Sequence, residues 1–149
     1  MNHNACDVVI IGGGIMGSAV AYYLKQADAG VDVVVVEMDP TYSMASTTLS
    51  LANVRIQFSL EKNIRISQFT FKVLENFEEE MAVGDHRPNI TFRREGNLFL
   101  VDESSIPTAE AAISLQRSLG CRVEWWTPEK IKQNYPLYAP EHMAGGTFS

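Results

Sequence analysis

Three glycines and one acid are the first residues whose types and spacing suggest chemistry: Gly12, Gly14 and Gly17, with Glu37 twenty positions after the last glycine. A turn with this G-x-G-x-x-G spacing suits a pyrophosphate. Gly12 permits a tight exit from a strand, Gly14 lets the backbone approach the phosphates, and Gly17 lets a helix pack close to that strand. The amides of Ile15 and Met16, in the first turn of that helix, lack intrahelical acceptors and sit at the positive end of its dipole. An acid at the position of Glu37 accepts hydrogen bonds from adenosine ribose hydroxyls and repels a 2′-phosphate, which disfavours NADP.

The elements that must position these residues are legible around them. Val8 to Ile11 is an apolar run, expected as a parallel strand buried on both faces. Met16, Val20, Tyr23, Leu24 and Ala27 recur at helical spacing, and Val33 to Val36 is a β-branched strand ending at Glu37. The order strand, glycine turn, helix, strand, acid is that of a βαβ unit holding the ADP part of a dinucleotide. A glycine turn in an α/β protein without a nucleotide is the alternative.

After Asp39-Pro40 comes Thr41 to Ser50, rich in hydroxyls and free of charge. It reads as a solvated loop or as a donor of hydroxyls and N–H groups to phosphates, and composition does not separate the two. Arg55 stands among uncharged neighbours. It suits a substrate carboxylate or the electron-rich part of a flavin, or else it is a surface arginine beside a helix start.

Further along, Ser59 is the expected N-cap of a long helix with Ile66, Phe69, Val73, Phe77 and Met81 on its apolar face. Glu75 and Glu78 to Glu80 form a solvated acidic face. Glu95-Gly96-Asn97 is expected as a turn between two short strands within Asn89 to Asp102, and Asp102-Glu103 as turn chemistry. A helix from Ser104 or Ser105 to Leu119, a strand over Cys121 to Trp126, and a short helix capped by Thr127 with Pro128 at its first position complete the order. Trp125, Trp126 and Tyr135 read as packing. His3, His86 and His142 lie in no recognised nucleophilic motif.

The 149 residues are 46% hydrophobic and 20% charged with net charge −6, the profile of an ordinary globular chain with room for a core. No basic cluster favours nucleic acid or an anionic membrane surface. Cys6 and Cys121 offer neither a disulfide framework nor a zinc site, which with the short N-terminal lead and the lack of a membrane-length apolar stretch suggests a cytoplasmic setting. Gly145 to Ser149 reads as a turn entering a strand, so the chain is expected to be the N-terminal part of a longer protein.

Gly12-x-Gly14-x-x-Gly17-x-x-x-Ala21-x-x-Leu24 with Val33-x-x-x-Glu37 resembles the FAD-binding start of D-amino-acid-oxidase-like flavoproteins, the group of glycine, sarcosine and dimethylglycine oxidising enzymes. Ser46 to Ser59 is similar to the Ser/Thr loop and arginine segment of the FAD-dependent oxidoreductase domain-containing branch. That branch holds amine oxidoreductases and a factor for respiratory complex I assembly. The resemblance implies FAD as cofactor, with Gly12, Gly14, Ile15, Met16 and Gly17 at the pyrophosphate and Glu37 at the ribose. It also implies Ser46 and Thr47 along the cofactor and Arg55 near the flavin ring. The family often carries Gly-Gly where this chain has Ala52-Asn53, and no histidine lies between His3 and His86 to attach a flavin covalently.

The expectation is an α/β fold: a Rossmann-like FAD-binding region over residues 1–88, then the beginning of an α+β substrate domain over 89–149. The implied function is oxidation of the C–N bond of a small amino acid or secondary amine by hydride transfer to flavin. The alternatives are a flavin-containing assembly or interaction factor without turnover, and an NAD-dependent dehydrogenase.

Overall fold

The computed structural model describes residues 5–149. The chain forms two compact units, Met1–Asn53 and Val54–Ser149. In the first, strand β1 (Val8–Ile11) pairs in parallel with β2 (Val33–Val36), Val8 facing Val33 and Ile11 facing Val36. Helix α1 (Ile15–Ala27) makes the crossover, and a short helix α2 (Ser46–Leu49) follows. This is the expected βαβ unit. The burial expected of its strands is not found: Ile11 is 89% and Val9 57% exposed. Two strands and one helix supply too few neighbours to cover so many apolar side chains, and Gly13 alone is buried among the described residues of this unit.

The second unit contains α3 (Glu61–Glu75), α4 (Phe77–Glu80), β3 (Leu98–Val101), a 3-10 turn (Glu103–Ser105), α5 (Ile106–Ser118), β4 (Glu124–Trp126), α6 (Pro128–Asn134) and β5 (Gly145–Phe148). Its antiparallel sheet has the order β3-β5-β4. Ile64 of α3, Ile113 of α5, Cys121 and Val123 form a buried cluster, with Ile56, Phe58, Leu119 and Trp125 packed against it. Ile131 of α6 is fully buried, and Trp126 stacks on Phe148 with ring centroids 4.2 Å apart. Among the described residues no helix is long and apolar enough to cross a membrane.

Several expectations change. The compact units part at Asn53/Val54, ahead of the 88/89 boundary read from sequence, because α3 packs on α5: Gln68 Nε2 donates to the Leu119 carbonyl at 2.7 Å, and Ile64 joins Ile113. Ser59 is not the N-cap of α3; Leu60 holds that position without a side-chain bond. The long helix breaks at Asn76, whose side-chain amide donates to the Lys72 carbonyl, and its inward face is Ile64 and Ser67, with Ile66 turned outward. No hairpin spans Asn89 to Asp102. Only β3 forms there, and its partner is the distant β5. The strand expected over Cys121 to Trp126 is shortened to β4. The Thr127 cap and Pro128 start of α6 are as expected, Thr127 Oγ1 accepting from the Lys130 amide at 3.3 Å.

Candidate nucleotide site

The glycine turn links the end of β1 to the start of α1, and its geometry follows from side chains it lacks. Gly12 has φ +94°, a conformation that a Cβ disfavours. A Cβ on Gly17 would lie 1.9 Å from the Gly12 carbonyl oxygen, so helix and turn meet at a distance only glycine allows. A Cβ on Gly14 would lie 3.2 Å from Thr47 Oγ1, which itself accepts from the Ile15 amide at 3.1 Å. Gly14 is the N-cap of α1, without a side-chain cap bond, and no acid occupies the helix's first turn. The amides of Gly14 and Met16 have no acceptor among the described residues.

Glu37 reaches back to this turn. Its Oε2 accepts from the Gly13 amide at 2.7 Å and its Oε1 from the Asp39 amide at 3.0 Å. The two N–H groups, that of Asp39 foremost, hold the Glu37 carboxyl below its ordinary pKa. Asp39 organises the following turn, accepting from the amides and hydroxyls of both Thr41 and Ser43. The Thr41 hydroxyl first, then its amide, lowers the Asp39 pKa to about 2. Both acids are therefore ionised at neutral pH.

Gly12, Gly14, Ile15, Gly17, Glu37 and Thr47 come together in this one unit. Met16 presents its amide there while its side chain is exposed. Ser46 opens α2, and its hydroxyl has no hydrogen bond among the described residues. Arg55 belongs to the second unit. Its guanidinium lies 4.6 Å from the Phe58 ring centroid and 5.6 Å from that of Phe99, without a carboxylate partner among the described residues. Those two rings also wall a cavity of about 220 Å³ beside α5. Ala52, one of the two positions where the resembled family carries glycine, has φ +50°. His86 closes a turn through backbone bonds with Val83, and His3 lies outside the described residues.

The sequence reading missed three participants. Ser18 Oγ donates to the Gly13 carbonyl at 2.7 Å. The Tyr42 hydroxyl lies 2.5 Å from where a Gly13 Cβ would stand. Asp39 holds the loop that delivers Thr47, a role signalled by the Asp39-x-Thr41-x-Ser43 spacing of a side-chain-capped turn.

The residues present fit the ADP half of a flavin dinucleotide. Free amides at a helix N-terminus, a cradle that a Cβ on Gly14 would narrow, and an ionised acid at the end of β2 are what diphosphate and ribose require. Fold and turn together define a dinucleotide-binding α/β protein. Residues 7–149 match the family model described as FAD dependent oxidoreductase, and the chain belongs to that family, whose cofactor is FAD. FAD-dependent oxidoreductase domain-containing protein 1 of Xenopus laevis is 42% identical over 134 residues, covering 87% of this chain and 27% of that relative. Among solved structures, L-proline dehydrogenase from P. horikoshii matches with a TM-score of 0.79 and 28% identity, over 97% of this chain and 36% of that one. Glycine oxidase from Bacillus cereus ATCC 14579 matches with a TM-score of 0.68 and 21% identity, over 97% and 38%, a likeness of fold alone. The chain thus spans 27–38% of the length of these proteins.

Proposed function

We propose that the protein works as an FAD-dependent oxidoreductase on the C–N bond of a small amino acid or secondary amine. The observation that carries the nucleotide part is one βαβ unit in which the Gly14 and Met16 amides have no acceptor among the described residues and the Glu37 carboxylate bonds the same glycine turn at Gly13. The substrate class is supported by the likeness to L-proline dehydrogenase from P. horikoshii.

In this reading Gly12 and Gly17 shape the turn, and the Gly14 and Met16 amides donate to the pyrophosphate. Ile15 acts through Thr47: the Thr47 hydroxyl accepts from the Ile15 amide and keeps its own proton to donate to a phosphate oxygen. Glu37 spends two of its roughly four lone-pair sites on Gly13 and Asp39, leaving two for the ribose hydroxyls. Ser46 opens the helix that presents Thr47 and lies along the cofactor. Arg55, its guanidinium over the Phe58 and Phe99 rings and without a carboxylate partner among the described residues, offers a positive charge to the flavin or to a substrate carboxylate. When bound, FAD would accept the hydride, with its electron pair, from the C–H bond beside the nitrogen, the nitrogen would lose a proton, and the substrate would leave as an imine for water to hydrolyse; the chain supplies binding, orientation and charge. A cytoplasmic setting belongs to the same proposal, supported by the unpaired thiols of Cys6 and Cys121.

The test is to purify these residues within a protein of the relatives' full length, with its flavin, and follow flavin absorbance anaerobically while adding proline, glycine, sarcosine and simple N-methyl amines. Bleaching by at least one of them is expected. A flavin that none of them reduces, in a protein that instead forms a stable complex with another protein, overturns the catalytic reading in favour of an assembly factor.

A further inference from the structure

We propose that Ser18 and Glu37 clamp the Gly13 residue from opposite sides and thereby aim the Gly14 amide at a phosphate oxygen. The inference rests on the nucleotide reading above and adds two positioning roles to it. Glu37 shapes the phosphate turn as well as meeting the ribose, and Ser18 acts on the phosphates without touching them.

The geometry is that of one residue held at both ends, through the peptide before it and the peptide after it. Glu37 Oε2 takes the Gly13 N–H at 2.7 Å, and Ser18 Oγ gives its proton to the Gly13 carbonyl at 2.7 Å. The Gly13 carbonyl and the Gly14 N–H belong to one planar trans peptide and point in opposite directions. A hydroxyl that fixes the carbonyl therefore fixes the direction of the Gly14 N–H. Glycine at positions 12, 13 and 14 makes such a restraint necessary, since three successive residues without Cβ atoms leave the turn free to rotate. A third bond anchors the turn's entry: the Gly12 amide donates to the carbonyl of Val36, the residue just before Glu37, at 2.8 Å. The acid at the end of β2 is thus built into the same clasp as the amides that meet the diphosphate. Binding of ribose and binding of phosphate become coupled through one carboxylate.

The experiment uses the flavin-stripped protein at the relatives' full length and two probes, ADP and 2′,3′-dideoxy-ADP, titrated calorimetrically. The second probe has no ribose hydroxyls for Glu37 to accept. Ser18→Ala is expected to weaken both probes by about threefold to tenfold, the range one hydrogen bond commands, and Ser18→Thr to restore both. Glu37→Gln is expected to weaken 2′,3′-dideoxy-ADP as well as ADP. If Glu37→Gln weakens ADP alone and Ser18→Ala changes neither, the clamp is wrong and the ribose role of Glu37 stands. If the unaltered protein binds neither probe, the nucleotide reading itself fails. The Gly14 amide resonance in nucleotide-free protein gives a second readout. It should shift in Ser18→Ala and return in Ser18→Thr, and an unmoved resonance in Ser18→Ala overturns the proposal even where the glutamate variant folds poorly.

Discussion

Gly17 shows how one missing atom holds the site together. Alanine in a helix is ordinarily favoured over glycine by about 1 kcal/mol. Here its Cβ would stand 1.9 Å from a backbone oxygen that cannot rotate away, and overpacking of that kind costs ~1–3 kcal/mol. Gly17→Ala is therefore expected to lose stability on balance in urea unfolding and to release flavin; a variant more stable than the parent would contradict the close approach. Ala52 works in the reverse sense. Its φ of +50° costs ~1–2 kcal/mol, more than the ~0.5–1 kcal/mol of flexibility that glycine adds, so Ala52→Gly should raise stability by about 0.5–1 kcal/mol in the same assay. Asp39 gives a pH signature. Its folded pKa of about 2 lies below the ordinary 3.8, so the stability it confers is present in full above pH 3.8 and is lost as pH falls through about 2. The Thr41 amide resonance should follow that titration, and Asp39→Asn should abolish it. Gly12, Gly17 and Glu37 were legible in the sequence because their spacing is set by a strand and a helix of fixed rise. Ser18 and Tyr42 were not, since their roles depend on which way one hydroxyl and one ring point.

At the scale of elements, the ends of helices were easier to read than their faces. Thr127 and Pro128 fix the start of α6 through a local bond, and Thr127→Ala is expected to cost ~1 kcal/mol in chemical denaturation. The apolar face of α3 was misassigned because apolar residues occur all round that helix, and only the packing of α5 chooses among them. Two variants separate the assignments. Ile64→Ala should cost ~2–5 kcal/mol and Ile66→Ala under about 0.5 kcal/mol, because the first side chain is fully buried and the second largely exposed. β3 is a comparable case. The Glu95-Gly96-Asn97 turn suggested a local hairpin, whereas the strand's hydrogen-bonding partner comes from residues 145–148. Pairing between segments so far apart leaves no mark in a short window of sequence.

At the scale of the molecule, the two units differ in how well each covers itself. The second has a buried cluster on one side of its sheet and Ile131 on the other, while in the first the strand side chains of β1 and β2 stay largely open. The 149-residue chain expressed by itself is accordingly expected to retain little FAD, to oxidise none of the amines in the panel, and to associate through exposed apolar strand edges. Light scattering and flavin absorbance would check this, and a monodisperse, flavin-loaded, active product would refute it. The order of strands in the second unit bears on how it is made. β5 lies at the centre of the sheet, yet synthesis reaches it after both of its neighbours. On a ribosome adding about 5–20 residues per second, β3 emerges seconds before the strand that pairs with it, and β4 is also complete before β5 appears. Until Gly145 to Phe148 arrive, both outer strands are edges without a middle. Nascent chains stalled before Gly145 should therefore be the form that chaperones and proteases recognise, and chains in which β5 has emerged and paired the first to resist them.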